Sequence, residues 1–177
     1  MSDASPRFKA GMAGFFYLLA VLSAVSGESF LHGGAAIAAG LVAVACFVVV
    51  TIFLYRIFLP VSRGAAVLAL IANLIGMAFE ALRWEPAHLD LGVVFHGAYC
   101  ILIGFLVLRS TFLPRVLGIL MAIAGVAWLT NLVPSLANSL QTSAVIAGFV
   151  GEGALMLWLL AIGVNSNRWL EQRSQRA

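Results

Sequence analysis

Charge is scarce in this chain. Only 10% of its 177 residues are charged, whereas 63% are hydrophobic; a soluble domain carries about 25% charged residues. A water-soluble fold of this length could not hide so much apolar surface, so lipid must be the solvent for much of it. Segments that alternate apolar and polar positions are also lacking, which argues against strands. No basic patch is interleaved with aromatics, which excludes nucleic acid as a partner. The two cysteines, Cys46 and Cys100, form no CxxC and read as small buried apolar side chains. The three histidines are His32, His88 and His96. They form no HExxH or other close-spaced ligand set, so no metal is assigned. A bis-histidine haem would lack its second deep histidine. No glycine-rich phosphate loop follows a strand, and the sequence leaves any cofactor unknown.

What the chain does have is apolar runs. Six stand out, near residues 10–26, 35–58, 65–82, 91–108, 116–133 and 143–164. Each is about long enough to cross ~30 Å at ~1.5 Å per residue. Prolines fall at the boundaries: Pro6, Pro60 and Pro114 precede spans, whereas Pro86 and Pro134 follow them. The expectation is an all-α membrane protein, a six-transmembrane-helix bundle forming a single domain over residues 1–177.

Orientation follows from the basic residues. Nine of the ten Lys and Arg fall at the N-terminus, the second and fourth connections and the C-terminal tail; Arg83 alone falls on the other side. The positive-inside rule then places both termini in the cytoplasm of a bacterial cell, in a multi-pass protein of the cytoplasmic membrane. Arg7 and Lys9, followed by an apolar run and Ala24-Val25-Ser26, imitate a signal peptide, but the charge count fits an uncleaved first helix equally well.

The segment from Leu102 to Gly118 contains Gly104, Leu106, Arg109-Ser110 and Phe112-Leu113-Pro114-Arg115-Val116-Leu117-Gly118. Gly151-Glu152, Leu157-Trp158-Leu159 and Gly163-Val164 follow in the last span. These blocks resemble an uncharacterised bacterial membrane family, the domain of unknown function numbered 4386. The resemblance implies a multi-pass fold and carries no activity. Phe58 to Gly64 echoes Phe112 to Gly118, either as an ancestral hairpin repeat or because cytoplasmic helix starts converge on Pro, Arg and Gly.

Ionisable groups at membrane depth are the candidates for chemistry, since a central charge costs about 2.5–3.5 kcal/mol. Glu152 is nine residues into the last run and His96 eight residues past His88, so both lie roughly 12–14 Å deep. They are expected to share one site. Tyr99 lies at i+3 from His96, on the same face. Glu80 and Arg83 are spaced to pair near the end of the third run; otherwise Arg83 reaches the headgroups and Glu80 turns inward. Asn73 sits mid-span, and Asn131, Glu28 and His32 fall near helix ends. Trp84, Trp128 and Trp169 read as interfacial anchors. Ser26 and Ser29 lie near Glu28 and His32, but spacing alone shows no positioned base and no oxyanion hole.

The candidate ligand-binding set is therefore Glu152, His96, Tyr99, Glu80 and Asn73. Each has a bland counterpart as an interhelical hydrogen-bonding group. Polar groups concentrate in the outer half, which suggests a polar cavity open to the outside and closed below by hydrocarbon. Two functions stay open. One is a cavity that binds a small molecule, lipid or proton. The other is a non-catalytic subunit that docks a membrane-protein partner or a second copy. Nothing in the sequence assigns catalytic residues, which leans against an enzyme.

Overall fold

Helix starts follow from local sequence. In a computed structural model, which describes residues 5–83 and 89–175, Pro6 opens α1 (Pro6–Ser29) and Ser5 Oγ caps it by accepting from Phe8 N–H at 3.2 Å. Ser62 caps α3 (Arg63–Leu82) and Asp90 caps α4 (Leu91–Arg109), each accepting from a first-turn N–H. Between them, α2 spans Gly34–Phe58. The next helix, α5 (Arg115–Leu129), runs into a 3-10 turn at Thr130–Leu132. Pro134 opens α6 (Pro134–Ala161). That helix stops at Gly163, whose φ of +75° lets its N–H return to Trp158 O at 2.9 Å. A short α7 (Ser166–Ser174) is capped by Asn165. Trp84, Glu85, Pro86, His88, Arg176 and the Glu28 side chain, all named above, lie outside the described residues.

The six longer helices are long and apolar enough to cross a membrane, and the described residues contain no strand. This is the all-α, six-span class expected from composition. The last span begins at Pro134, earlier than its apolar run, because Ser135, Asn138 and Gln141 are polar yet tolerated in a helix. An apolar run marks where a helix is dry, not where it starts.

Each helix packs on its neighbours in sequence, and α6 returns to α1, so the six close into a ring. Lipid tails are as apolar as leucine, so helices in a membrane associate through close packing and hydrogen bonds. Glycines provide the close packing. A Cβ on Gly104 would lie 2.7 Å from Gly118 O, and one on Gly125 2.6 Å from Gly97 O. Both pairs repeat at seven-residue spacing along α4 and α5. On α6, a Cβ at Gly151 would meet Leu120 O at 2.5 Å. The outer surface is apolar: Leu68, Val126, Ile146 and Leu157 are each more than half exposed.

The Arg109–Arg115 block, which carries the family resemblance, seats α7. Gln172 Oε1 accepts from both Thr111 N–H and Thr111 Oγ1 at 3.1 Å, and its Nε2 donates to Arg109 O at 3.2 Å. Arg168 Nη1 donates to Thr111 O, and Trp169 Nε1 donates to Ile57 O at 2.8 Å. Trp169 is thus a buried clasp between α7 and α2, not an interfacial anchor.

Candidate functional site

Inside the ring, one hydrogen-bonded network takes a side chain from every one of the six long helices. Glu152 of α6 is its hub. Its Oε2 accepts from Tyr17 OH of α1 at 2.6 Å and faces His96 Nε2 of α4 at 3.0 Å. Its Oε1 accepts from Trp128 Nε1 of α5 at 2.7 Å. His96 Nδ1 meets Asn73 Oδ1 of α3 at 3.1 Å, and Asn73 Nδ2 donates to Thr51 Oγ1 of α2 at 2.5 Å. Thr51 in turn donates to Phe47 O, one turn back on its own helix, at 2.8 Å. Most members lie roughly 10–13 residues from the end of the bundle that carries the arginines, about 15–20 Å, which is mid-bundle.

The donors and acceptors fix the histidine's tautomer. The Thr51 hydroxyl hydrogen goes to Phe47 O, so Thr51 Oγ1 is left to accept from the Asn73 amide. The Asn73 carbonyl oxygen then faces His96 Nδ1, and a carbonyl can only accept, so Nδ1 carries hydrogen. His96 Nε2 is left facing a carboxylate oxygen. A bare imidazole nitrogen and a bare carboxylate oxygen 3.0 Å apart would repel, so one positive charge belongs between them. An imidazolium beside a carboxylate and a neutral imidazole beside a carboxylic acid both satisfy this count, and the pair behaves as one unit.

His96 and Glu152 are therefore brought together directly, as their matched depths predict. Asn73, 0% exposed, joins them as the histidine's orienting partner. Tyr99 stacks obliquely beside the imidazole, with ring centroids 5.8 Å apart. Its hydroxyl is buried near Thr51 without a geometry that makes a hydrogen bond among the described residues. Glu80 stands apart, two turns along α3 from Asn73, exposed and with Oε2 beside Gly92.

Four members escape sequence reasoning. Tyr17 and Thr51 stand in apolar runs and look like packing residues. Trp128 reads as an interfacial anchor, yet it turns inward over Gly148, where a Cβ would strike its ring. Cys100 looks apolar, yet its Sγ lies 3.6 Å from His96 Nε2. Only its i+4 spacing from His96 could have signalled this.

The His96 and Glu152 side chains keep 13% and 12% of their surface accessible. Toward the arginine-bearing end the ring is filled by Leu54, Phe58, Leu106, Leu155 and Leu159, none more than 1% exposed. An open cavity of about 630 Å³ lies at that end, between Arg7, Thr111, Trp158 and Arg168, and contains no member of the network.

Comparison with known proteins places these residues in a wider group. A family model described as a domain of unknown function, DUF4386, matches residues 83–163, the segment that carries His96, Cys100, Trp128 and Glu152. A curated relative, an uncharacterized protein of Archaeoglobus fulgidus, is 30% identical over 125 residues, covering 66% of this chain and 76% of the relative. No solved structure matches the chain.

Proposed function

This chain belongs to the family of the domain of unknown function DUF4386, and on that premise we propose that it binds a small cation between His96 and Glu152, inside a six-span ring. The observation that carries this reading is the direction of the hydrogen bonds. The bonds from Tyr17, Trp128, Asn73 and Thr51 fix the donors and acceptors on either side of the pair, and a place for one positive charge is left over between His96 Nε2 and Glu152 Oε2. A proton fills that place when no other cation does.

Size narrows the ligand class. An enclosed pair with 13% and 12% of its side-chain surface accessible suits a small ion or amine better than a lipid chain. The apolar filling toward the arginine-bearing end supports entry from the opposite end. With both termini and nine basic residues in the cytoplasm, that entry faces outward across the cytoplasmic membrane. The apolar outer surface suits lipid, and the network draws all its members from one chain, so no partner is needed to complete it.

A thermal-stability series on purified protein tests this, with alkali cations, divalent cations and small amines as probes. A ligand at 100 times its Kd stabilises by about 2.7 kcal/mol. At least one cation should raise the Tm of the wild type and fail to raise that of Glu152→Gln. If no cation does so, or if the variant responds like the wild type, the reading is wrong.

A further inference from the structure

The cation place has a third donor. Cys100 follows His96 by four residues, so both project from one face of α4 toward Glu152 on α6. The three ligand-capable atoms, His96 Nε2, Cys100 Sγ and a Glu152 carboxylate oxygen, all lie within 4.8 Å of one another. His96 Nε2 is 3.0 Å from Glu152 Oε2 and 3.6 Å from Cys100 Sγ. Tetrahedral bonds of 2.0–2.3 Å imply ligand-to-ligand edges of roughly 3.3–3.7 Å. The two edges from His96 Nε2 therefore stand within a few tenths of an ångström of a tetrahedral face. The third, from Cys100 Sγ to the carboxylate, is at most 4.8 Å and closes as an ion draws its ligands in.

We propose that His96, Cys100 and Glu152 bind one divalent transition-metal ion of the zinc and cobalt class. This deepens the cation reading above and rests on it. Several independent features fit a metal better than a proton alone. Thiolate, imidazole and carboxylate together select borderline-soft metals over magnesium or calcium, which prefer all-oxygen shells. Asn73 Oδ1 holds the Nδ1 hydrogen and so aims the Nε2 lone pair at the site, as an outer partner does for a metal-bound histidine. Tyr17 and Trp128 fix both oxygens of the carboxylate in the same way.

Charge also balances. One thiolate and one carboxylate neutralise one divalent ion, which suits a site enclosed by apolar helices. On binding, the ion replaces the proton shared by His96 and Glu152 and the thiol proton of Cys100. Two protons leave for each metal that enters. Three protein ligands leave a fourth position for water or another small ligand.

Cobalt titration of the full-length protein, in a Cys46→Ala background so that Cys100 is the sole thiol, tests the site. One Co²⁺ per chain should bind and give a near-ultraviolet sulfur-to-cobalt charge-transfer band. The band should vanish in Cys100→Ala, and zinc but not magnesium should compete. Two protons should be released per ion in weakly buffered medium. Asn73→Ala should weaken affinity about 10–100-fold, the usual effect of removing a ligand's outer partner. The Tm of each variant without metal reports whether it is folded. Cobalt binding that needs Glu152 but shows no sulfur band and is unchanged in Cys100→Ala would overturn the metal–thiolate site and leave the cation reading intact. Absence of cobalt binding by folded protein would also overturn the metal site, leaving the cation reading to the alkali and amine probes. Binding that survives both Glu152→Gln and Cys100→Ala would place the ion elsewhere and overturn the metal site.

Discussion

Replacing Glu152 by leucine and by glutamine separates what the carboxylate holds together from what its charge does. Leucine removes the acceptor of the Tyr17 hydroxyl and the Trp128 indole, and the partner of His96 Nε2. In a protein interior each stranded polar group costs about 1–3 kcal/mol. Within a bilayer, interhelical hydrogen bonds average only about 0.6 kcal/mol, because the dispersed helices find other partners. Three such bonds then amount to roughly 2 kcal/mol, and the enclosed position of the group pushes the loss toward about 4 kcal/mol. Glutamine behaves differently. Its carbonyl still accepts from Trp128. Its amide can donate both to the bare His96 Nε2 and to the Tyr17 oxygen, which turns from donor to acceptor. The hydrogen-bond count is kept, and beyond the charge only the Tyr17 hydrogen loses its acceptor, so the expected loss is about 1 kcal/mol, a fraction of that for leucine. Reversible unfolding in mixed micelles measures both variants. Leucine at wild-type stability, or glutamine as damaging as leucine, would refute the network as a load shared among six helices.

Topology and packing give two further tests. Asn138→Cys should be labelled by an impermeant maleimide in intact cells and Gln175→Cys only after lysis, since nine of ten basic residues fall on one side, which the positive-inside rule assigns to the cytoplasm; the reverse pattern would invert the bundle. Gly151→Leu should lose about 1–3 kcal/mol through overpacking, because a Cβ there already meets Leu120 O at 2.5 Å, whereas Leu157→Phe on the 58%-exposed outer face should be nearly silent. Equal detergent stability of the two would deny the close contact of α5 and α6.

The block that made the family recognisable lies at the arginine-bearing end, about 15–20 Å from the residues that build the site. Arg109 to Arg115 forms the seat of α7, while the network lies mid-bundle. Gly104 and Gly118 connect the two indirectly. They let α4 and α5 approach backbone to backbone, and so set His96 and Trp128 at the spacing that Glu152 bridges.

Sequence by itself determined the helical class and the six spans, because length and hydropathy along one helix are local properties. It also determined that Glu152 and His96 share a depth, because the rise per residue converts position into height. Height says nothing about azimuth. Whether Tyr17, Thr51, Asn73, Cys100 and Trp128 point inward depends on how α6 closes onto α1 and how far the glycine contacts let α4 and α5 approach. Those are relations between helices distant in sequence. A tyrosine, a threonine, a cysteine and a tryptophan in apolar runs are indistinguishable from packing residues until the ring closes, and only closure turned them into the partners of one carboxylate and one imidazole.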